Sequence, residues 1–506
     1  MEWSPQEAGL PPLPALKGNS SGNNVISGIF VSENRRIESR YEILDPDPKS
    51  PSDVSGGEFQ LSHGGSVRNG PTVQHHPTES AGSPGPLYHH PPITDPTEAF
   101  FMERYCNILG PWFDMFDTIR HWSHAVPHLS LSNPSLFRSI IASCSKQYSL
   151  VSGESSIYAL DQYNRGLKEL TRALGEGEGN GSESTTGHAA VFASCLLIGY
   201  CEMIDAQSLD WHTHLSGTFS LCSSQGWHGR SGGVAQSCFW VYCRMDLLAA
   251  IARARHTLLD PSRWLPDGTS LAPPRQRAHD WDLDSWCNHV VVLLAQTHNL
   301  LCDVRQPLRT STEQSELEER WNGMSTSLDT HESSRPIALR PIIDLPPKDP
   351  RMPFRQIIYV SAAACAATQM MDLACLFLIL AFPDRTPAER AVRLMSESVC
   401  REAVGLSRKI VSNSIANRHP IAWANAVQLL SSAGTILVGR PEREALLRVL
   451  NDIKLETGWN TLGNCQSLRA WWDSFWPGAD DGLHTTDDDD VKTLLRVGKS
   501  LIRLST

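Results

Sequence analysis

The chain has 506 residues, 41% of them hydrophobic and 20% charged, with a formal net charge of -11. That is apolar sequence enough for one large core or two smaller ones, and so acidic a balance speaks against a phosphate-reading surface, which needs clustered Lys and Arg. The 13 cysteines include no CxxC pair and none before Cys106, so buried free thiols in a reducing compartment are expected, not a secreted disulfide framework.

Residues 1–95 read as a disordered arm. Pro, Gly, Ser, His and Asn dominate, and such sequence buries too little apolar area to offset its ordering entropy. The opening MEWSPQEAGLPPLP lacks the basic region and apolar run of a signal peptide. In the run from Ile26 to Tyr41, Arg35, Arg36 and Arg40 alternate with Glu33 and Glu38, a mixed patch and not a basic arm.

From about Pro96 the pattern is helical. The first dense apolar block, Phe100 to Ser139, reads as a helix, a proline-broken turn carrying Trp112-Phe113-Asp114, a short irregular segment, and a helix opened by Asn133-Pro134. Asn133 is the expected cap and Pro134 the tolerated first-turn proline. Further helices are expected at about Ser155–Leu174, His188–Asp205 and Asp210–Gln225, with a flexible loop from Gly175 to Gly187. The segment Gly233–Arg255 has the clearest period: Val234, Cys238, Val241, Met245, Leu248 and Ala252 fall on one face, widened by Phe239, Trp240 and Tyr242.

A proline-rich loop from Asp260-Pro261 to about Asp280 precedes helices at Leu283–Cys302 and Glu313–Leu328. A proline-studded segment runs from Pro336 to Pro353. Helices follow at Phe354–Ala381, Pro387–Ser412, Ile421–Val438 and from Pro441 to a stop at Gly458. The end holds Trp459, Trp471, Trp472 and Trp476, an acidic loop from Asp480 to Asp490, and a last basic amphipathic helix. The run Ile357–Phe382 is long enough to span a bilayer, but Ser361, Thr368, Gln369 and Asp372 mark it as a buried core helix.

No segment shows convincing period-two strands, and no repeat appears. The fold class is therefore all-α: a large multi-helix array behind the disordered arm. Its helical domain covers 96–476, with a subdomain break placed, if anywhere, near 330–353, and residues 477–506 form an acidic loop and terminal helix.

Motifs with chemical meaning fail on context. Gly18-Asn19-Ser20-Ser21-Gly22 fits a nucleophile elbow but has no strand before it or helix after it. Ser143-Cys144-Ser145-Lys146 fits SxxK without its companion motifs, and a polar helix end explains it better. His212 and His214 are spaced two apart, which sends them to different helix faces, where a zinc pair wants three or four. His75-His76 and His89-His90 lie in the arm. No glycine-rich phosphate loop follows a strand. Trp240 and Trp286 are expected in the core, while Trp471, Trp472 and Trp476 fit either core or a partner surface. No catalytic, cofactor-binding, metal or DNA-contact residue is assigned.

One resemblance runs along the chain. Leu109-Gly110-Pro111-Trp112-Phe113-Asp114, followed by His121, Val126-Pro127 and Asn133-Pro134, resembles the start of the fungal-specific transcription factor domain, the large helical region of fungal zinc-cluster (Zn2Cys6) regulators. His214 with Leu215-Ser216-Gly217-Thr218 is similar to a later turn of that family. Phe239-Trp240-Val241-Tyr242 with Asp246 resembles its next helix, and Trp286-Cys287-Asn288 the one after. Arg335-Pro336 through Arg340-Pro341-Ile342 is similar to its connector. Arg443-Glu444-Ala445-Leu446-Leu447 through Glu456-Thr457-Gly458-Trp459 resembles its terminal helix.

The resemblance covers about residues 97–476. It implies a nuclear regulator of transcription, not an enzyme, acting on a metabolic or biosynthetic gene set through protein partners, as a homodimer or a heterodimer with related regulators. The family's usual N-terminal zinc cluster has no counterpart before Cys106, which speaks against direct DNA binding by this chain. A zinc cluster encoded upstream of the sequence would restore it. The alternatives are a ligand-binding or enzymatic protein reusing the helical domain, which predicts a polar pocket with shifted titratable groups, and a scaffold.

Overall fold

A computed structural model of the protein describes residues 92–176, 185–205, 211–267, 269, 271, 282–306, 310–348, 353–475 and 487–505. The expected arm lies outside them apart from residues 92–95. The first helix, α1 (Pro96–Arg104), starts where Asp95 accepts the Glu98 amide at 2.8 Å, with a proline in the first turn where its missing N–H costs nothing.

Gly110-Pro111 does not break the chain as the sequence led us to expect. A π-turn at Tyr105–Leu109 carries α1 directly into α2 (Gly110–Phe113). The same device recurs: after a 3-10 turn at Asp114–Phe116, a π-turn at His121–Ala125 leads into α3 (Val126–Ser130), which holds Pro127. Proline lacks the N–H of the i−4 ladder and clashes with the carbonyl there. A wide turn just upstream relieves both conflicts, and the Gly110 and Val126 amides bond five residues back, to Tyr105 O and His121 O.

Next come α4 (Pro134–Ser152), α5 (Ile157–Glu176), α6 (Thr185–Met203), α7 (Trp211–Ser224) and α8 (Gly233–Arg253). The expected 175–187 loop is shorter at both ends, and most of it falls outside the described residues. Asn133 does not cap α4; its amide turns back and donates to Leu129 O at 2.6 Å. The single apolar face expected on α8 is also wrong. Fifteen of its 21 residues are buried, so it is a central helix enclosed on nearly all sides, and Ala252, placed on the core face, is exposed.

Helices α9 (Leu283–Val304) and α10 (Ser311–Ser333) follow. The latter is opened by a Thr310–Glu313 capping box. The proline-studded segment holds a short strand, β1 (Ile343–Leu345), which pairs antiparallel with β2 (Gln356–Ile358) just beyond it, Ile343 opposite Ile358. The helix expected from Phe354 therefore starts late, as α11 (Ala362–Leu380), capped by Ser361. Pro387–Ser412 divides into α12 (Pro387–Leu394) and α13 (Glu397–Ala416), and Ile421–Val438 into α14 (Pro420–Trp423) and α15 (Val427–Gly434). The chain closes with α16 (Arg440–Thr457), α17 (Leu462–Phe475) and α18 (Asp487–Ser505), the acidic run forming the first turn of α18.

Helix α4 packs on α1, α5 and α6; α6 packs on α7 and α8; α9 joins α8 to α11; and α11 packs on α13. Helices on both sides of 330–353 are thus in direct contact. Among the described residues α11 alone is long and apolar enough to cross a membrane, yet 78% of its most apolar window is buried against neighbours. Its polar groups are answered there: Gln369 donates to Ile410 O and Ser414 Oγ, both at 2.8 Å, and Asp372 pairs with Lys409 at 2.7 Å. Those contacts make it a core helix. None of the 13 cysteines is in a disulfide and ten are buried, in line with inert interior thiols.

Candidate functional site

Several of the segments that carry the resemblance meet along α8. At the centre is Asp114, 8% exposed. Its carboxylate accepts the Trp122 amide at 2.7 Å, the Ser123 amide at 2.9 Å and the Ser123 hydroxyl. It therefore caps the second π-turn, where free N–H groups and the helix dipole favour an anion. Burial pushes the Asp114 carboxyl up, and these hydrogen bonds oppose the shift.

Two more carboxylates fix the same loop. Burial pushes Asp117 up, but bonds from His121 (2.8 Å) and Ser237 (2.7 Å) outweigh it and hold the carboxyl below its usual range. His121 is raised in turn, chiefly by its bond to Asp117. Asp284, at the start of α9, accepts the Thr118 amide at 2.9 Å and its hydroxyl at 2.7 Å.

From α8, Arg244 is buried with its guanidinium 5.4 Å above the Phe116 ring and its Nη2 donating to Phe113 O at 2.9 Å. Asn288 of α9 donates to Phe116 O at 3.4 Å. Two residues on from Arg244, Asp246 accepts the Leu258 and Leu259 amides at 3.0 and 3.1 Å, pinning the loop after α8, and burial raises its carboxyl to about 6.

The terminal segment closes the junction. Gln147 of α4 receives Arg104 at 2.8 Å and donates to Thr457 O at 3.1 Å. Gly458 follows at φ +80, with the space for a Cβ only 3.0 Å from Leu150. Trp459 then lies against Tyr200, whose ring also meets Phe113 and Trp112. Asn460 donates to Ile204 O at 2.8 Å.

A second cluster surrounds Trp286, buried as expected. His331 stacks on its ring at 4.3 Å, and the Arg335 guanidinium lies 5.5 Å from the ring centroid. His331 faces His289, with Nδ1 atoms 3.3 Å apart, and burial lowers these imidazoles to about 3 and about 4 respectively. Arg335 bonds Thr368 and Glu332. Among the described residues no group of three or more His, Cys, Asp or Glu could hold a metal ion.

The remaining motif residues fall elsewhere. Ser143 is buried mid-helix in α4, correcting the expected helix end, and donates to Ser139 O and Leu197 O. Lys146 pairs with Asp205 at 2.7 Å. Trp240 and Trp472 are buried and Trp471 is half-buried, with the Trp471 and Trp472 indoles donating to Thr435 O and Gly434 O. Trp476, Gly18–Gly22, His75-His76 and His89-His90, and the side chains of His212 and His214, lie outside the described residues. Gln147, Ser237, Arg244 and His331 are key contacts that the sequence reading missed.

A cavity of about 150 Å³ opens beside the junction, between Leu248, Ala249 and Ala252 of α8, the turn at Ala424–Gln428, and Trp459–Asn464. Its lining carries no titratable side chain.

These features define a predominantly helical domain whose signature residues hold the fold together. The profile of the fungal-specific transcription factor domain matches residues 99–492, and the chain belongs to that family. It is similar to the transcription activator AMTR1 of Alternaria alternata, with 22% identity over 330 residues, 54% of this chain and 43% of that protein. The match thus spans less than half of that relative's length. No solved structure matches the chain.

Proposed function

We propose that this chain is a nuclear regulator of transcription that controls a metabolic or biosynthetic gene set through protein partners, as a homodimer or with a related DNA-binding subunit. The observation that carries this reading is the family match across residues 99–492, supported by the likeness to a transcription activator. The junction fits it. Asp114, Asp117, Arg244 and Asp246 are each held by hydrogen bonds within the fold, so recognition falls to the surface and to the cavity.

The test is chromatin immunoprecipitation of the tagged protein with transcript profiling of a deletion strain. Enrichment at promoters whose transcripts change together is the expected result. A protein confined to the cytoplasm, or a deletion that shifts no coordinated gene set, overturns it. Light scattering of the purified chain, alone and with candidate subunits, tests the dimer.

A further inference from the structure

The cavity beside α8 has a composition that selects its occupant. Leu248, Ala249 and Val427 make an apolar, buried wall. Trp459 adds an indole backed by the Tyr200 ring at 6.0 Å. An ion there would shed water without gaining an opposite charge, so the lining disfavours charged ligands.

Side-chain amides supply the polarity. Asn425 Nδ2 donates within the fold, at 3.6 Å to Met115 Sδ and at 3.5 Å to Ile421 O. Among the described residues its Oδ1 accepts no hydrogen bond. Gln428 Oε1 has one contact at the limit of bonding, 3.5 Å from Asn464 Nδ2. Asn425 Oδ1 thus remains as an acceptor and the Gln428 amide as the donor for a partner that offers both. The volume, about 150 Å³, matches an apolar cavity known to admit a single six-membered ring.

We infer that this cavity binds a small neutral ring carrying a carboxamide or an equivalent donor–acceptor pair. The ring stands against Trp459 and Leu248, and its polar end meets Asn425 and Gln428. Such a ligand bridges α8 and the segment after α14. Binding is a property of the purified chain and does not depend on the reading of the protein as a regulator.

Benzamide is the probe, titrated into the full chain and followed by saturation-transfer NMR, with benzoate as a charged probe of nearly the same shape. Saturable benzamide binding with a Kd on the order of 1 mM, and at least about tenfold weaker benzoate binding, is expected. Asn425→Ala weakens benzamide by about fivefold or more. Ala252→Leu, at an exposed rim position, blocks it without disturbing the core. Unchanged circular dichroism in both variants separates loss of binding from loss of fold. Absence of saturable binding, equal affinity for benzoate, or indifference to both substitutions overturns the inference.

Discussion

Asp114→Ala tests whether the Trp112-Phe113-Asp114 signature acts through the fold. The carboxylate satisfies the Trp122 and Ser123 amides and the Ser123 hydroxyl, all in a buried site. The hydroxyl can rotate to another acceptor, but the two amides cannot. Each buried donor left unanswered costs about 1–3 kcal/mol, and the favourable charge at the helix N-terminus is lost as well. A total of about 4 kcal/mol follows. Unfolding entropies near 2.1 cal/mol/K per residue, over the matched region 99–492, convert this into a Tm drop of roughly 5 °C. Asp114→Asn keeps one acceptor oxygen and loses about half as much. Scanning calorimetry of the three proteins measures the effect. If Asp114→Ala melts within about 1 °C of the natural chain, the capping argument fails; if it also loses promoter activity, the residue contacts a partner instead.

Arg244→Ala removes the donor to Phe113 O and the cation over Phe116, and a loss of about 3 kcal/mol in urea unfolding is expected; a loss under 1 kcal/mol contradicts that role. Gly458→Ala combines a left-handed backbone with a Cβ 3.0 Å from Leu150, whereas Gly153, also left-handed, faces open space. The first substitution should cost roughly 2–3 kcal/mol and Gly153→Ala about 1, and equal costs would show that the Leu150 contact is unimportant. Asp246 titrates near 6 in the folded chain, raised by burial. The folded state therefore binds the extra proton between about pH 4 and 6, and this group's contribution to stability falls as pH rises through that window and is flat above it. Asp246→Asn removes the slope, so the variant should gain roughly 2–3 kcal/mol on the natural chain from pH 4 to 6; parallel melting curves would refute the shift.

The helices were legible because their signals are local. Pro at the first turn, Gly458 at the stop and apolar spacing along the chain each act within a few residues. The errors have physical causes too. Gly110-Pro111 reads as a break only if the i−4 ladder is assumed, and a π-turn escapes that assumption. Gln356–Ile358 reads as helix because a run of that length has no distinctive period, and its strand partner at Ile343–Leu345 lies within the proline-studded segment. Arg244 and Gln147 were invisible as contacts because their targets, Phe113 O and Thr457 O, are backbone atoms without a residue signature. The cavity is a gap beside Ala249, Ala252 and Ala424, and small residues announce close packing as often as space.

The bond from Gln147 to Thr457 joins residues 310 apart, and the contact from Asn425 to Met115 spans the same distance. On a ribosome adding about 5–20 residues per second, Gln147 emerges roughly 15–60 s before its acceptor exists. Helix α4 waits through that interval with the surface meant for α16 uncovered. The domain is therefore completed from its last-made end, and a chain stopped short of Thr457 exposes this face of α4 to chaperones and proteases.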